Sequence, residues 1–149
     1  MFYDAVYQST LGILKSLSDN QYISDNSYLA GGTGLTLYLG HRICNDLDFF
    51  TEQDINQIEL DIILNSLSSQ KTYQYKNSIW YKVRNIDISF FRYLYRTIDD
   101  YQKIFNIRFA SKKDIYAMKI MALIQKGAKK TSMIYTNSLM NLQLKKSLR

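Results

Sequence analysis

Proline is absent from this sequence, and cysteine, histidine and tryptophan occur once each. With no proline, no internal repeat and no glycine- or serine-rich linker, nothing marks a domain boundary. The lone Cys44 rules out an intramolecular disulfide framework and a thiolate zinc cluster, and it fits a reducing compartment. The lone His41 excludes histidine-based zinc sites of the familiar kind and reads as a local hydrogen-bonding residue. No apolar run approaches the roughly 20 residues that cross a bilayer. The opening MFYDAVYQSTLGILKSL has no basic region followed by an apolar block, so a cytoplasmic protein with no membrane partner is expected. Glycine is also scarce, six in all, yet four of them fall at Gly31, Gly32, Gly34 and Gly40.

The 149 residues are 46% hydrophobic and 14% aromatic, enough to bury roughly two-thirds of the unfolded surface around a single core. Charge is unevenly placed. Residues 1–110 carry 10 basic and 12 acidic side chains, whereas 111–149 carry 9 basic and one acidic. A basic end suits a polyanionic partner, and equally a solvated surface.

Apolar spacing predicts a helix over 3–17, a polar turn at 18–20 and a short strand at 28–30. A short helix after the glycines, a strand over 46–50 and a helix over 54–67 follow. Strands are expected at 71–76, 79–84 and 86–91, with Asn77-Ser78 as a hairpin turn, then a helix over 97–105. Ser111 and Asp114 form a capping pattern that opens a helix reaching about Lys126, with Gly127 placed to end it. The order describes a mixed α+β domain.

Leu29-Ala30-Gly31-Gly32-Thr33 reads as a strand entering a helix through two glycines. Such a turn lets backbone N–H groups approach a phosphate, and Thr33 could add a hydroxyl donor. It is also a common structural turn, and it matches neither a Walker loop nor a GxGxxG fingerprint. Asp46 and Asp48, at i and i+2 on a strand, share one face while Leu47 and Phe49 point into the core. Two carboxylates on one face can hold Mg²⁺ together with triphosphate oxygens, or can simply be a solvated strand face. Asp87, between Ile86 and Ile88, would bring a third carboxylate if its strand neighbours that of Asp46. Lys119 is the one charged residue in 115–124; on a helix expected to be largely buried it either snorkels outward or awaits an anion. Lys112, Lys119 and Lys126 share one helical stripe. Tyr73, Tyr75, Trp80 and Tyr81 could stack on bases, and aromatic residues at period two also pack strands. Cys44 lacks a base nearby in sequence.

Three blocks together carry a family resemblance: Leu29-Ala30-Gly31-Gly32-Thr33-Gly34-Leu35, then Leu39-Gly40-His41-Arg42, then Asp46-Leu47-Asp48-Phe49-Phe50. They resemble the motifs of AbiEii/AbiGii-type toxins, the nucleotidyltransferase-like members of type IV toxin–antitoxin systems. Ser111-Lys112-Lys113-Asp114-Ile115, Ala117-Met118-Lys119 and Lys126-Gly127-Ala128-Lys129-Lys130 resemble that family's second block. The likeness spans roughly residues 9–130. It implies a DNA-polymerase-β-like nucleotidyltransferase fold, with a mixed sheet flanked by helices. By motif match, Gly31, Gly32, Thr33, Arg42 and Lys119 would bind the nucleotide. Asp46 and Asp48 would bind Mg²⁺, with Asp87 as third carboxylate, and the catalytic set becomes Asp46, Asp48, Asp87 and Lys119. Expected partners are an NTP, an RNA acceptor such as tRNA, and a cognate antitoxin.

The sequence departs from the family after Lys130. The family continues Asp-Phe-x-Asp, whereas this chain has Thr131-Ser132-Met133-Ile134-Tyr135-Thr136-Asn137. A codon set for those seven residues, read one base earlier behind a G, yields Asp-Phe-Tyr-Asp-Ile-Tyr-Lys. The expectation is a nucleotidyltransferase core over 1–130 and an atypical tail over 131–149 produced by a frameshift, with C-terminal helices truncated or altered and the activity of this form left open. The alternatives are a non-catalytic nucleotide- or antitoxin-binding remnant, and a basic RNA-binding protein.

Overall fold

Alternating apolar side chains build the centre of the molecule. The computed structural model describes residues 1–128, divided into one unit over Met1–Ile115 and a second that begins at Tyr116. The first unit contains helices α1 (Gln8–Ser18), α2 (Gln21–Asn26), α3 (Gly31–Leu39) and α4 (Gln57–Asn65). Its strands are β1 (Tyr28–Leu29), β2 (Leu47–Thr51), β3 (Gln70–Tyr75), β4 (Ser78–Val83), β5 (Ile86–Arg92), β6 (Gln102–Ile104) and β7 (Ile107–Phe109). They form one sheet in the order β3-β4-β5-β2-β1-β7-β6. The β2–β5 and β1–β7 pairs are parallel and the others antiparallel.

Period-two alternation gives this sheet a dry face and an open one. Leu29, Leu47, Phe49, Ile79, Tyr81, Ile88, Phe90 and Phe109 are buried on the dry face. Helices cover that side: Tyr38 of α3 stacks on Phe109 at 4.8 Å, and Tyr81 donates to Asp61 of α4 at 2.7 Å. The opposite face carries Asp48, Ser89 and Trp80, joined in one pairing row.

Helix ends follow local chemistry. The side chains of Asn20 and Asn56 accept from Ile23 N and Glu59 N at 3.3 and 3.2 Å, capping α2 and α4. Gly40 ends α3 in the left-handed region, at φ +60°. Ser111 accepts from Asp114 N at 3.1 Å, as the capping pattern requires, and opens a helix over 112–128.

The polar turn expected at 18–20 is present, and Asn20 within it caps the unforeseen α2. Three expectations are corrected. The helix expected over 97–105 does not form; its second half is β6, paired with β7. Ile104, Ile107 and Phe109 are buried there, so pairing with β1 overrides local helical spacing. Gly127 lies inside the helical run, and only Gly31 and Gly40 among the described glycines have positive φ. The helix over 112–128 is buried only around Asp114 and Ile115. Beyond them Tyr116, Ile120, Leu123 and Ile124 are exposed, as is Lys119. Lys129, Lys130 and the tail over 131–149 lie outside the described residues.

Candidate active site

The site begins where β1 ends. Ala30 N donates to Asp48 O at 3.0 Å, so the chain turns beside β2 and enters α3 at Gly31. The amino end of α3 has no side-chain cap, which leaves its first N–H groups for a ligand or solvent. Gly31 sits at φ +65°, and a Cβ there would lie 2.1 Å from Asp48 Oδ2. No other residue type lets that carboxylate sit so close to the turn. A Cβ on Gly32 would lie 2.7 Å from Arg42 Nη2, so the guanidinium closes over the second glycine.

Asp48 is aimed by Ser89, whose buried hydroxyl donates to Asp48 Oδ1 at 2.6 Å. The two are direct partners in the β2–β5 ladder. Asp46 precedes β2 and is solvent-exposed. Partial desolvation, then the charges of Asp48 and Asp87, push its carboxyl above the usual range, while Arg42 and Lys82 pull it back. Asp46 therefore feels both other carboxylates, and the register, with Leu47 opposite Ile88 and Asp48 opposite Ser89, puts Asp48 and Asp87 on the same face of neighbouring strands. Asp87 is held by Lys82, 3.2 Å away.

Thr33 has a different part from the one its hydroxyl suggested. That hydroxyl donates to the backbone carbonyl of Asp46, and the residue is buried. It ties the start of β2 to α3 instead of reaching outward, so its N–H is what it can offer a phosphate. Lys119 belongs to the second unit and is exposed rather than crowded among apolar neighbours. Among the described residues, no three His, Cys, Asp or Glu side chains form a group ready to hold a metal. Asp46 and Asp48 nevertheless suit Mg²⁺, which typically takes one or two carboxylates and completes its shell with water and phosphate oxygens. Partial desolvation together with carboxylate repulsion at Asp46 is the electrostatic setting that a cation relieves.

Three contributors escaped the sequence reading. Ser89 carries the same i+2 relation to Asp87 that Asp48 has to Asp46, which was the available signal. Lys82 follows from the β4–β5 register, Lys82 opposite Asp87. Asn45 donates to Asn85 O at 2.9 Å and accepts from Thr10 at 2.6 Å, pinning the loop before β2, and only tertiary structure reveals it.

Comparison with solved proteins decides the architecture. TM1012 from Thermotoga maritima, described as a candidate nucleotidyltransferase, matches with a TM-score of 0.57 at 13% identity, over 87% of this chain and 94% of that one. This chain has the nucleotidyltransferase fold. JHP933 from Helicobacter pylori matches at 0.52 with 16% identity, covering 76% of this chain and 57% of its own. ANT(2")-Ia, solved with adenylyl-2"-tobramycin, matches at 0.51 with 14% identity, over 73% and 72%. In sequence, protein aq_aa25 from Aquifex aeolicus is 36% identical over 113 residues, 72% of this chain and 55% of that protein. The chain thus spans about half the length of this relative. No family model matches.

Proposed function

We propose that this chain is a magnesium-dependent nucleotidyltransferase domain that moves a nucleotide from an NTP to an acceptor hydroxyl, such as that at the end of a tRNA. By its likeness to AbiEii/AbiGii toxins it is the toxin half of a toxin–antitoxin pair, with a cognate antitoxin as partner. The observation that carries the reading is the seat of Asp48: its carboxylate rests against Gly31, at the uncapped amino end of α3. A phosphate chain laid on those N–H groups would lie directly beside the acidic pair.

In this scheme the N–H groups of Gly31, Gly32 and Thr33 hold the triphosphate, and Arg42 neutralises it from above the second glycine. Asp46 and Asp48 would hold Mg²⁺, which when bound supplies positive charge to the phosphates. The acceptor oxygen forms a bond to the α-phosphorus, and the bond from that phosphorus to the bridging oxygen breaks. Pyrophosphate leaves, and the hydroxyl proton passes to the carboxylate of Asp87. Lys119 is assigned by the family likeness to the nucleotide.

Incubating the protein with labelled NTPs and total tRNA tests the reading. Magnesium-dependent incorporation that disappears in Asp48→Ala is expected. Tight nucleotide binding without incorporation would point instead to a catalytically silent remnant. Salt-sensitive RNA affinity that survives loss of both Asp46 and Asp48, with no nucleotide binding, would mark a basic RNA-binding protein. The tail over 131–149 is proposed to be a frameshift product; a gene whose upstream frame lacks an Asp-Phe-Tyr-Asp continuation would refute that.

A further inference from the structure

The open face of the sheet extends past the carboxylates into a row of rings. Pairing runs from Asp48 to Ser89, from Ser89 to Trp80 and from Trp80 to Tyr73, across β2, β5, β4 and β3. Directly paired positions share a face. Trp80 therefore stands two strands from Asp48, about 10 Å away. The Tyr73 ring lies 5.1 Å from that of Trp80, and Phe91 meets the indole edge-on at 5.2 Å. Tyr73 is 57% exposed.

These rings are not packing a core. All of β3 is exposed, and a bulge decides which way its tyrosines face. Lys71 pairs with Tyr81 and Tyr73 with Trp80, so Thr72 is the extra residue between them. Regular pairing from Lys71 would set Tyr73 opposite Ile79, on the dry face. The bulge turns Tyr73 and Tyr75 to the open face and leaves Gln74 on the helix side, where it donates to Gln57 of α4 at 2.7 Å. Positive charge accompanies the rings. Lys82 stands in the next row beside Asp87, and Lys76 Nζ lies 5.3 Å from the centre of the Tyr75 ring.

We propose that Trp80 and Tyr73 form a stacking platform for an unpaired base of a single-stranded nucleic-acid acceptor, whose terminal hydroxyl is thereby delivered to Asp46 and Asp48. The inference rests on the nucleotidyl-transfer reading and adds to it the side chains that hold the acceptor. The exposed Tyr73 ring beside the half-buried indole of Trp80, with Lys76 and Lys82 nearby, suits bases and their phosphates, and a duplex hides the base faces that would stack.

Trp80 is the sole tryptophan, so its emission reports on this platform directly. The full chain, in metal-free buffer and without NTP, is titrated with a short fluorescein-labelled single-stranded RNA, following Trp80 emission and anisotropy. Quenching of Trp80 is expected, with affinity about tenfold weaker in both Tyr73→Ala and Trp80→Ala and largely kept in Trp80→Phe. A blunt duplex of the same sequence should bind about tenfold more weakly or not at all. Tyr73 is exposed, so its replacement tests the platform without threatening the fold. The proposal is overturned if the RNA fails to bind, binds with unchanged Trp80 emission, binds the two alanine variants as tightly as the parent, or binds no better than the duplex. Asp48→Asn separates the two readings, because it should lose transfer and keep the quenching. Quenching in a wild-type protein that transfers no nucleotide would sink the transfer reading alone.

Discussion

Gly31 and Asp46 show how function strains individual positions. At Gly31 an added Cβ would meet Asp48 Oδ2 at 2.1 Å, in a backbone conformation with φ +65°. Gly31→Ala should therefore displace the carboxylate and abolish transfer. The strained backbone alone costs about 1 kcal/mol, so circular dichroism should still show a folded protein. Asp46 behaves in the opposite sense. Its carboxyl is raised by partial desolvation and by Asp48 and Asp87, so its ionised form is less favourable in the folded state than in the unfolded one. That penalty appears as pH rises through the unfolded value, near 3.9, and is complete above the raised folded value. Asp46→Asn should accordingly melt slightly higher than the parent at pH 7, with the gain vanishing in acid, while transfer is lost. Thermal melts of both proteins across pH check this, and an equal or lower melting temperature at pH 7 would contradict it. Asp61 has the reverse sign: burial alone would raise it, but hydrogen bonds from Lys71 and Tyr81 bring it below the usual value. Its contribution is present at neutral pH and fades as pH falls through the lowered value.

Among the elements, the clearest dependency is the junction before the helix over 112–128. The Asp114 carboxylate accepts from Ile98 N at 2.6 Å, Asp99 N at 3.3 Å and Ser111 Oγ at 2.5 Å, all from a side chain 5% exposed. Asp114→Ala leaves those donors unanswered and should cost about 2–3 kcal/mol, read as a lower midpoint in urea. Ser111→Ala loses the cap and one of the three hydrogen bonds to the Asp114 carboxylate, about 1–2 kcal/mol. The bulge in β3 makes a different forecast. Deleting Thr72 leaves Lys71 opposite Tyr81 and Tyr73 opposite Trp80 in regular succession, so the melting temperature should fall by only about 2–4 °C, the shift that roughly 1 kcal/mol makes in a chain of this length. Strands β2, β4 and β5 were legible because Leu47, Phe49, Ile79, Tyr81, Ile86 and Ile88 alternate strictly. The hairpin of β6 and β7 was not, because a three-residue strand such as Ile107–Phe109 has too little pattern of its own and is specified by parallel pairing with β1. The exposure of Ile120, Leu123 and Ile124 was equally hidden, since an apolar run does not say what, if anything, lies against it.

For the molecule as a whole, the mixed sheet flanked by helices expected from the sequence is the one observed. Gly31, Gly32, Asp46 and Asp48 are legible because short spacings and a strand's period of two fix their relation before any tertiary structure exists. Asp87 required knowing that β5 lies beside β2, a parallel pairing that no local pattern announces. Arg42 came from family likeness, and its place over Gly32 needed coordinates. Ser89 had the pattern and lacked the context. The central claim is that this assembly breaks the bond after the α-phosphate of an NTP and passes the nucleotide to a hydroxyl. The most direct measurement supplies each NTP labelled at the α- or the γ-phosphate, with magnesium and an RNA acceptor, and follows label in the RNA. Transfer of α-label and not γ-label, with matching release of pyrophosphate and none in Asp48→Ala, is the expected result. Transfer of γ-label, or α-label transfer undiminished in Asp48→Ala, would contradict it.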